Sequence, residues 1–183
     1  MANTRQENEF ACANYWKQSW SDHKWNPVML NNSHAQASNL YGKLQQKLVT
    51  MMLGLPSELT TKSHHIAARF TRWCALHAAG GGWMSDYDVV NLGLTPSEAN
   101  KLIGSETLNA NKGSAHLIYA TKEHAEHAIK KFIATELIKN GEVASEAAIL
   151  GIKNPLNAGK LIKHAKATKT LLKADVMKNL LIK

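Results

Sequence analysis

Apolar residues recur at spacings of three and four along much of this chain, and each such stretch predicts an amphipathic helix. Phe10, Ala13, Trp16 and Trp20 fall on one face of a first helix over Glu7 to Trp20. Ser33 is placed to cap a second, running to about Leu53, with Leu40, Leu44, Leu48 and Met51 as its stripe. A third spans Ser63 to Ala79, with Ile66, Phe70, Trp73 and Leu76 inward, and Gly80, Gly81 and Gly82 stop it. Ser85 and Asp86 offer caps to a short helix whose apolar face is Val89, Val90 and Leu92. Gly93, Leu94, Thr95 and Pro96 break the pattern. Pro96 then opens a further helix through Ala99, Leu102 and Ile103, with Thr95 as cap and Glu98 in the first turn. Thr107 to Ala110 and Ser114 to Ala120 read as two short strands around Asn111, Lys112 and Gly113. Thr121 begins a long helix to about Asn140, with Ala125, Ala128, Ile129, Phe132, Ile133 and Leu137 on its apolar side.

Charge changes this picture more than overall composition does. The 183 residues hold 22 Lys plus Arg and 14 Asp plus Glu, a formal net charge of +8. Residues 151–183 hold eight lysines and one acid, so this stretch alone carries +7, while the first 150 residues are close to neutral. A lysine-rich segment of this kind attracts polyanions by counterion release, which makes DNA or RNA the expected partner and an anionic membrane surface the next. Arg5, Arg69 and Arg72 are the only arginines. Lysine contacts phosphate as a point charge and reads guanine less well, so the segment predicts affinity more than specificity.

At 44% hydrophobic and 20% charged residues, the composition is that of a globular protein and disfavours a wholly disordered chain. Two cysteines, Cys12 and Cys74, cannot build a disulfide framework, and their scarcity suits a reducing compartment. The apolar runs fall short of the ~18 residues that cross a bilayer, and the first ten residues are polar. A cytoplasmic protein, associated with the nucleoid, is the expectation.

The order of helix, helix, tight turn, helix, two-stranded turn and long helix over residues 63–120 and beyond resembles a winged helix-turn-helix DNA-binding domain. Val89 stands where the two helices of such a motif cross, Gly93 where the chain turns, Leu94 just after it, and Ala99 and Leu102 as anchors on the second helix. A weaker echo covers residues 143–166. Leu92-Gly93-Leu94 followed by Ala99 and Lys101-Leu102-Ile103 is matched by Leu150-Gly151-Ile152 followed by Ala158 and Lys160-Leu161-Ile162, with Ala147 in the place of Val89. Pro155, Asn157 and Gly159 depart from the pattern. The resemblance implies a mainly helical fold with a winged helix-turn-helix unit and a small two-stranded wing. It implies base contacts from Ser97, Asn100 and Lys101 in the first unit and from Asn154, Asn157 and Lys160 in the second. Lys112 at the wing tip and Lys163, Lys166, Lys169 and Lys173 would hold phosphates, and Arg69 and Arg72 would do so or cover the helix surface with their stems.

No catalytic motif competes with this reading. Gly151 to Lys160 is too long for a phosphate loop, and Leu161 replaces the residue that would touch magnesium. G-x-S-x-G, H-E-x-x-H and G-x-G-x-x-G are all missing. Cys74 and His77 on one helix, and His124 and His127 on another, form the one constellation with zinc-ligand spacing, and they complete a tetrahedral site only if the two helices face each other. Trp16, Trp20 and Trp25 can stack on bases or pack in a core or interface, and helical spacing favours packing.

The expected organisation is a tryptophan-rich N-terminal region (1–58) for oligomerisation or partner contact, a winged unit (59–140) and a lysine-rich second unit (141–183). The expected function is DNA binding without catalysis or cofactor, as a transcriptional or mobile-element regulator, with duplex DNA as partner and a homodimer or higher homo-oligomer as its state. A phage packaging or nucleoprotein component, or an RNA-binding adaptor, is the alternative.

Overall fold

The computed structural model describes residues 3–60, 63–87, 89–103, 108–111, 117–139, 142–151, 155–156 and 162–164. The periodic stretches form helices as expected. α1 covers Asn3–Ser21, α5 Ser63–Ala78, α6 Pro96–Leu102 and α7 Lys122–Ala134. The stretch expected as one helix to Leu53 is two, α2 (Asn32–Gln36) and α3 (Tyr41–Leu53). Asn31, not Ser33, caps α2, accepting from the His34 N–H. The break falls at Ser38, whose buried hydroxyl accepts from the Leu40 N–H and meets His77 Nδ1 at 2.9 Å. Serine and asparagine divert backbone from helix in this way. A short α4 (Ser57–Thr60) precedes α5, and α8 covers Glu146–Leu150.

The strands hold most of the differences from expectation. β2 (Val89–Asn91) stands where the short helix capped by Ser85 or Asp86 was expected, and β1 (Gly81–Ser85) precedes it. Val89, Val90 and Asn91 are all buried, and two adjacent buried β-branched residues favour an extended chain covered on both faces. The expected hairpin is present: β3 (Leu108–Asn111) pairs antiparallel with β4 (Leu117–Thr121), with Asn109 opposite Tyr119. It is not an isolated two-stranded wing, because the sheet continues in the order β1-β4-β3-β7, with β7 (Pro155–Leu156) parallel to β3. α7 ends at Ala134 rather than near Asn140, and β5 (Ile138–Lys139) and β6 (Glu142–Val143) pair antiparallel beyond it. β8 (Ile162–His164) pairs antiparallel with β2. The chain is thus mainly helical, with short strands between the helices. Among the described residues no helix is long and apolar enough to cross a membrane.

The echo is only half kept in each copy. Near Gly93 the second helix forms but a strand precedes the turn, whereas near Gly151 the first helix, α8, forms and strands follow. Gly151 sits at φ +66, the left-handed position that ends a helix. Pro155 removes a backbone donor and breaks the expected second helix.

Two compact units divide the chain, and they do not follow the three sequential regions expected. One contains α1 and the chain to Val28, Ser85–Leu102 and β8. The other is built from Met29–Met84 and Ile103–Leu156. In the second, α5 packs on α2, α3 and α7. Its centre is Leu44, Leu48, Phe70, Trp73, Ile118, Ile129 and Phe132, all fully buried. Phe132 meets Phe70 and Trp73 edge-on, with ring centroids at 5.1 and 5.8 Å. Burying each such side chain contributes about 1.5–3 kcal/mol.

Candidate nucleic-acid interface

The unit that contains α6 is organised by indole N–H groups. Trp16 Nε1 donates to Ser85 Oγ at 2.8 Å, Trp20 Nε1 to the Val89 carbonyl at 3.0 Å, and Trp25 Nε1 to the Leu94 carbonyl at 2.6 Å. Trp16 and Trp20 are buried together with Val89, Val90, Leu94 and Ala99. The tryptophans therefore pack within the chain, and their place here is not a base-stacking surface.

Between β2 and α6 the chain turns on Asn91, which is 2% exposed. Its Oδ1 accepts from the Gly93 and Leu94 N–H groups, and its Nδ2 donates to the Leu94 carbonyl. Gly93 lies at φ +150, a conformation that disfavours a side chain. α6 then starts as its sequence predicts. Thr95 and Glu98 form a capping box: the Thr95 N–H and hydroxyl donate to Glu98 Oε2 at 2.9 and 2.8 Å, and the Glu98 N–H donates to Thr95 Oγ1 at 3.3 Å. These donors hold the exposed Glu98 carboxyl below its usual range, with smaller help from Lys101 and His23. Ala99 is fully buried and anchors the helix, while Ser97, Asn100 and Lys101 are exposed at i, i+3 and i+4 on one face.

β8 lies in the same unit. Val90 pairs with Lys163, Val89 with His164 and Asn91 with Ile162. Residues 85–102 hold three acids, Asp86, Asp88 and Glu98, against Lys101 alone. The α6 segment is therefore not basic by itself, and β8 brings Lys163 to the strand that precedes it. Ile162 and Lys163 were expected at the end of a helix or just beyond it, and they are extended instead. Lys112, Asn154, Asn157, Lys160, Lys166, Lys169 and Lys173 lie outside the described residues.

Other candidates have different partners from those expected. Arg72 binds Glu146 through Nε at 3.2 Å and Nη2 at 2.8 Å, so its guanidinium is engaged inside the protein and does not await phosphate. Arg69 is exposed on the same helix. Cys74, His77, His124 and His127 do not gather: among the described residues, no three His, Cys, Asp or Glu side chains converge as metal ligands. His77 is held by Ser38 and His124 Nδ1 by Thr121 Oγ1 at 2.8 Å. Burial pushes the Cys74 thiol up to about 11.

The residues that sequence reasoning missed are Asn91 and Trp25, which hold the turn before α6. An Asn two residues before a Gly is a turn signal and was legible; the reach of Trp25 across 69 residues was not. No protein-family model, curated protein or solved structure matches the chain.

Proposed function

We propose that this chain is a DNA-binding protein without catalytic activity, a sequence-specific regulator of transcription or of a mobile element that resembles winged helix-turn-helix proteins. α6 is its reading helix, offering Ser97, Asn100 and Lys101 to base edges, and the lysines of residues 151–183 neutralise phosphates. The pairing of β8 with β2 carries this reading. It ties the lysine-rich segment to the strand that leads into α6, so both kinds of contact belong to one unit. The unit departs from a helix-turn-helix in that a strand precedes the turn, with Asn91 holding what a first helix would hold. β3 and β4 pair antiparallel within a larger sheet, and Lys112 stands in the sequence between them.

Selection from fragmented genomic DNA at physiological salt, with sequencing of the retained fragments, tests the proposal. Enrichment of one recurring site is expected, and a palindromic site would add a two-fold dimer. Uniform retention refutes sequence reading, and no retention refutes DNA binding.

A further inference from the structure

α1 ends in a motif that ordinarily takes glycine. The Trp25 N–H donates to the Trp20 carbonyl at 3.2 Å and the Lys24 N–H to the Ser21 carbonyl at 3.1 Å, the paired bonds of a Schellman C-cap. The Trp20 and Trp25 rings meet edge-on at 5.3 Å, the apolar contact that accompanies such a cap. The residue between these bonds must be left-handed, and it is Lys24, at φ +68. Among the described residues it is the only non-glycine with positive φ. A side chain there is unfavourable, because Cβ crowds the following carbonyl. Asparagine and aspartate tolerate the conformation by bonding locally, and lysine has no such means.

The position of Lys24 suggests what the strained residue does. Trp25, its neighbour, donates to the carbonyl of Leu94, the residue immediately before the Thr95 cap of α6. Trp20 fixes the same end of α1 to Val89. His23, on the other side of Lys24, is near enough for its charge to act on Glu98 in the first turn of α6. Lys24 itself is exposed, and the nearby Asp22 is bonded by Gln18 Nε2 at 2.6 Å. So the end of α1 is fixed beside the start of α6, where an acid, Glu98, opposes a polyanion. The charges that act on Glu98 there are Lys101 and His23, and Lys24 adds an exposed cation at the end of α1 that Trp25 ties to Leu94.

We infer that Lys24 is a phosphate-contacting residue of the α6 surface, kept in a glycine position at a cost in stability because its charge completes that surface. The inference rests on the DNA reading above, and strain retained at a ligand surface is its physical signature.

Lys24→Gly separates charge from strain, and Lys24→Ala removes the charge while leaving the strain. Both are titrated with a labelled random-sequence DNA duplex over a series of salt concentrations, and both are unfolded in urea. A phosphate contact is sequence-independent, so no operator is needed. Both variants are expected to lose affinity on the order of fivefold at ~0.1 M salt, with the slope of log affinity against log salt reduced by about one. Only Lys24→Gly is expected to unfold at a higher urea midpoint than the wild type. Wild-type affinity and slope in both variants would overturn the inference while leaving the DNA reading intact. A lower midpoint for Lys24→Gly would overturn the trade of stability for contact. Failure of the wild-type protein to bind the duplex even at low salt would refute the DNA reading itself, and this inference with it.

Discussion

The Trp73 indole N–H donates to Glu146 Oε1 at 2.7 Å, joining α5 to the first residue of α8. Arg72 adds two bonds to the same carboxylate, which is 4% exposed. Three donors on one carboxylate satisfy a buried charge, and removing either ionic partner leaves the other exposed to a medium that solvates it poorly. Burial is the larger influence on Glu146 and holds its carboxyl above the ordinary range, with the Arg72 charge and then the Trp73 bond pulling it back.

Arg72→Met should therefore destabilise the fold by about 3 kcal/mol at neutral pH, since it leaves Glu146 buried and unpaired. Glu146→Gln should cost less, because Arg72 is 20% exposed and keeps some water. Acidification gives a second check with a definite sign. A carboxyl whose folded pKa is raised binds more protons in the folded than in the unfolded state over the interval from its ordinary value, 4.5, to its raised one. Over that interval the stability of the wild type relative to Glu146→Gln should fall as pH rises, and then level off. Urea unfolding across pH measures this, and a relative stability that climbs with pH in the interval would show the shift to have the opposite sign.

Gly81→Ala should be among the costliest single-methyl changes in the chain. Gly81 has φ +90, and a Cβ there would lie 2.6 Å from the Lys122 nitrogen, 2.7 Å from the Ala120 oxygen and 2.7 Å from the Thr121 carbonyl carbon. All three are backbone atoms and cannot swing aside, so strain and overpacking together cost about 3 kcal/mol. At Gly80, φ is +88 but nothing lies within 4 Å, and Ala there should cost only about 1 kcal/mol. Equal denaturation midpoints for the two variants would contradict this account.

Thr95→Ala removes the hydroxyl that accepts from the Glu98 N–H and donates to its carboxylate, leaves the residue-95 N–H bond to Glu98 in place, and should lower stability by about 1 kcal/mol. The Glu98 carboxyl is held below its usual range by Thr95, so its contribution is present above the ordinary value and disappears as pH falls through the depressed one. Amide exchange at the start of α6 should accelerate in Thr95→Ala at neutral pH, and the difference from the wild type should narrow in acid.

The two cysteines should differ sharply toward an alkylating reagent. Cys74 is fully buried and its thiol is pushed up to about 11, which leaves almost no thiolate at neutral pH, while Cys12 is partly exposed. Mass spectrometry should find one modified cysteine in the native protein and two after unfolding. Rapid native modification of Cys74 would mean that the α5 core opens readily.

On the DNA reading, Asn100→Ala should weaken binding to an enriched site by about 1–3 kcal/mol and leave random duplex almost unaffected. Neutralising Lys163 and Lys166 should weaken every duplex and lower the salt slope by about one per lost contact. Equal losses on all sequences for both changes would remove α6 from the reading role.

Helix positions with strong local signals were legible in the chain itself. α5 carries its core stripe at three- and four-residue spacing up to three glycines, and all of Ile66, Phe70, Trp73 and Leu76 are buried. α6 announces itself by Thr95, Pro96 and Glu98, whose capping role needs only four consecutive residues. The β3–β4 pairing followed from two short apolar runs around turn formers. Asn140-Gly141 is a strong hairpin signal of the same kind, and β5 and β6 lie on either side of it where a longer α7 was expected.

Elsewhere local pattern was ambiguous, and contacts distant in sequence decided. Val89 and Val90 suit a helix face or a strand equally well on spacing alone. Pairing with β8, more than 70 residues away, and the Trp20 bond to the Val89 carbonyl make them a strand. The sequence by itself determined the amphipathic helices, the α6 cap and the concentration of lysine beyond residue 150, because each depends on neighbours within a few turns. Only the tertiary structure decided that Arg72 is committed to Glu146, that Trp16, Trp20 and Trp25 bond partners within the chain rather than await bases, and that the lysine-bearing strand lies against β2. Those outcomes depend on which polar groups must be satisfied when distant segments lose water together, and one-dimensional spacing does not record that.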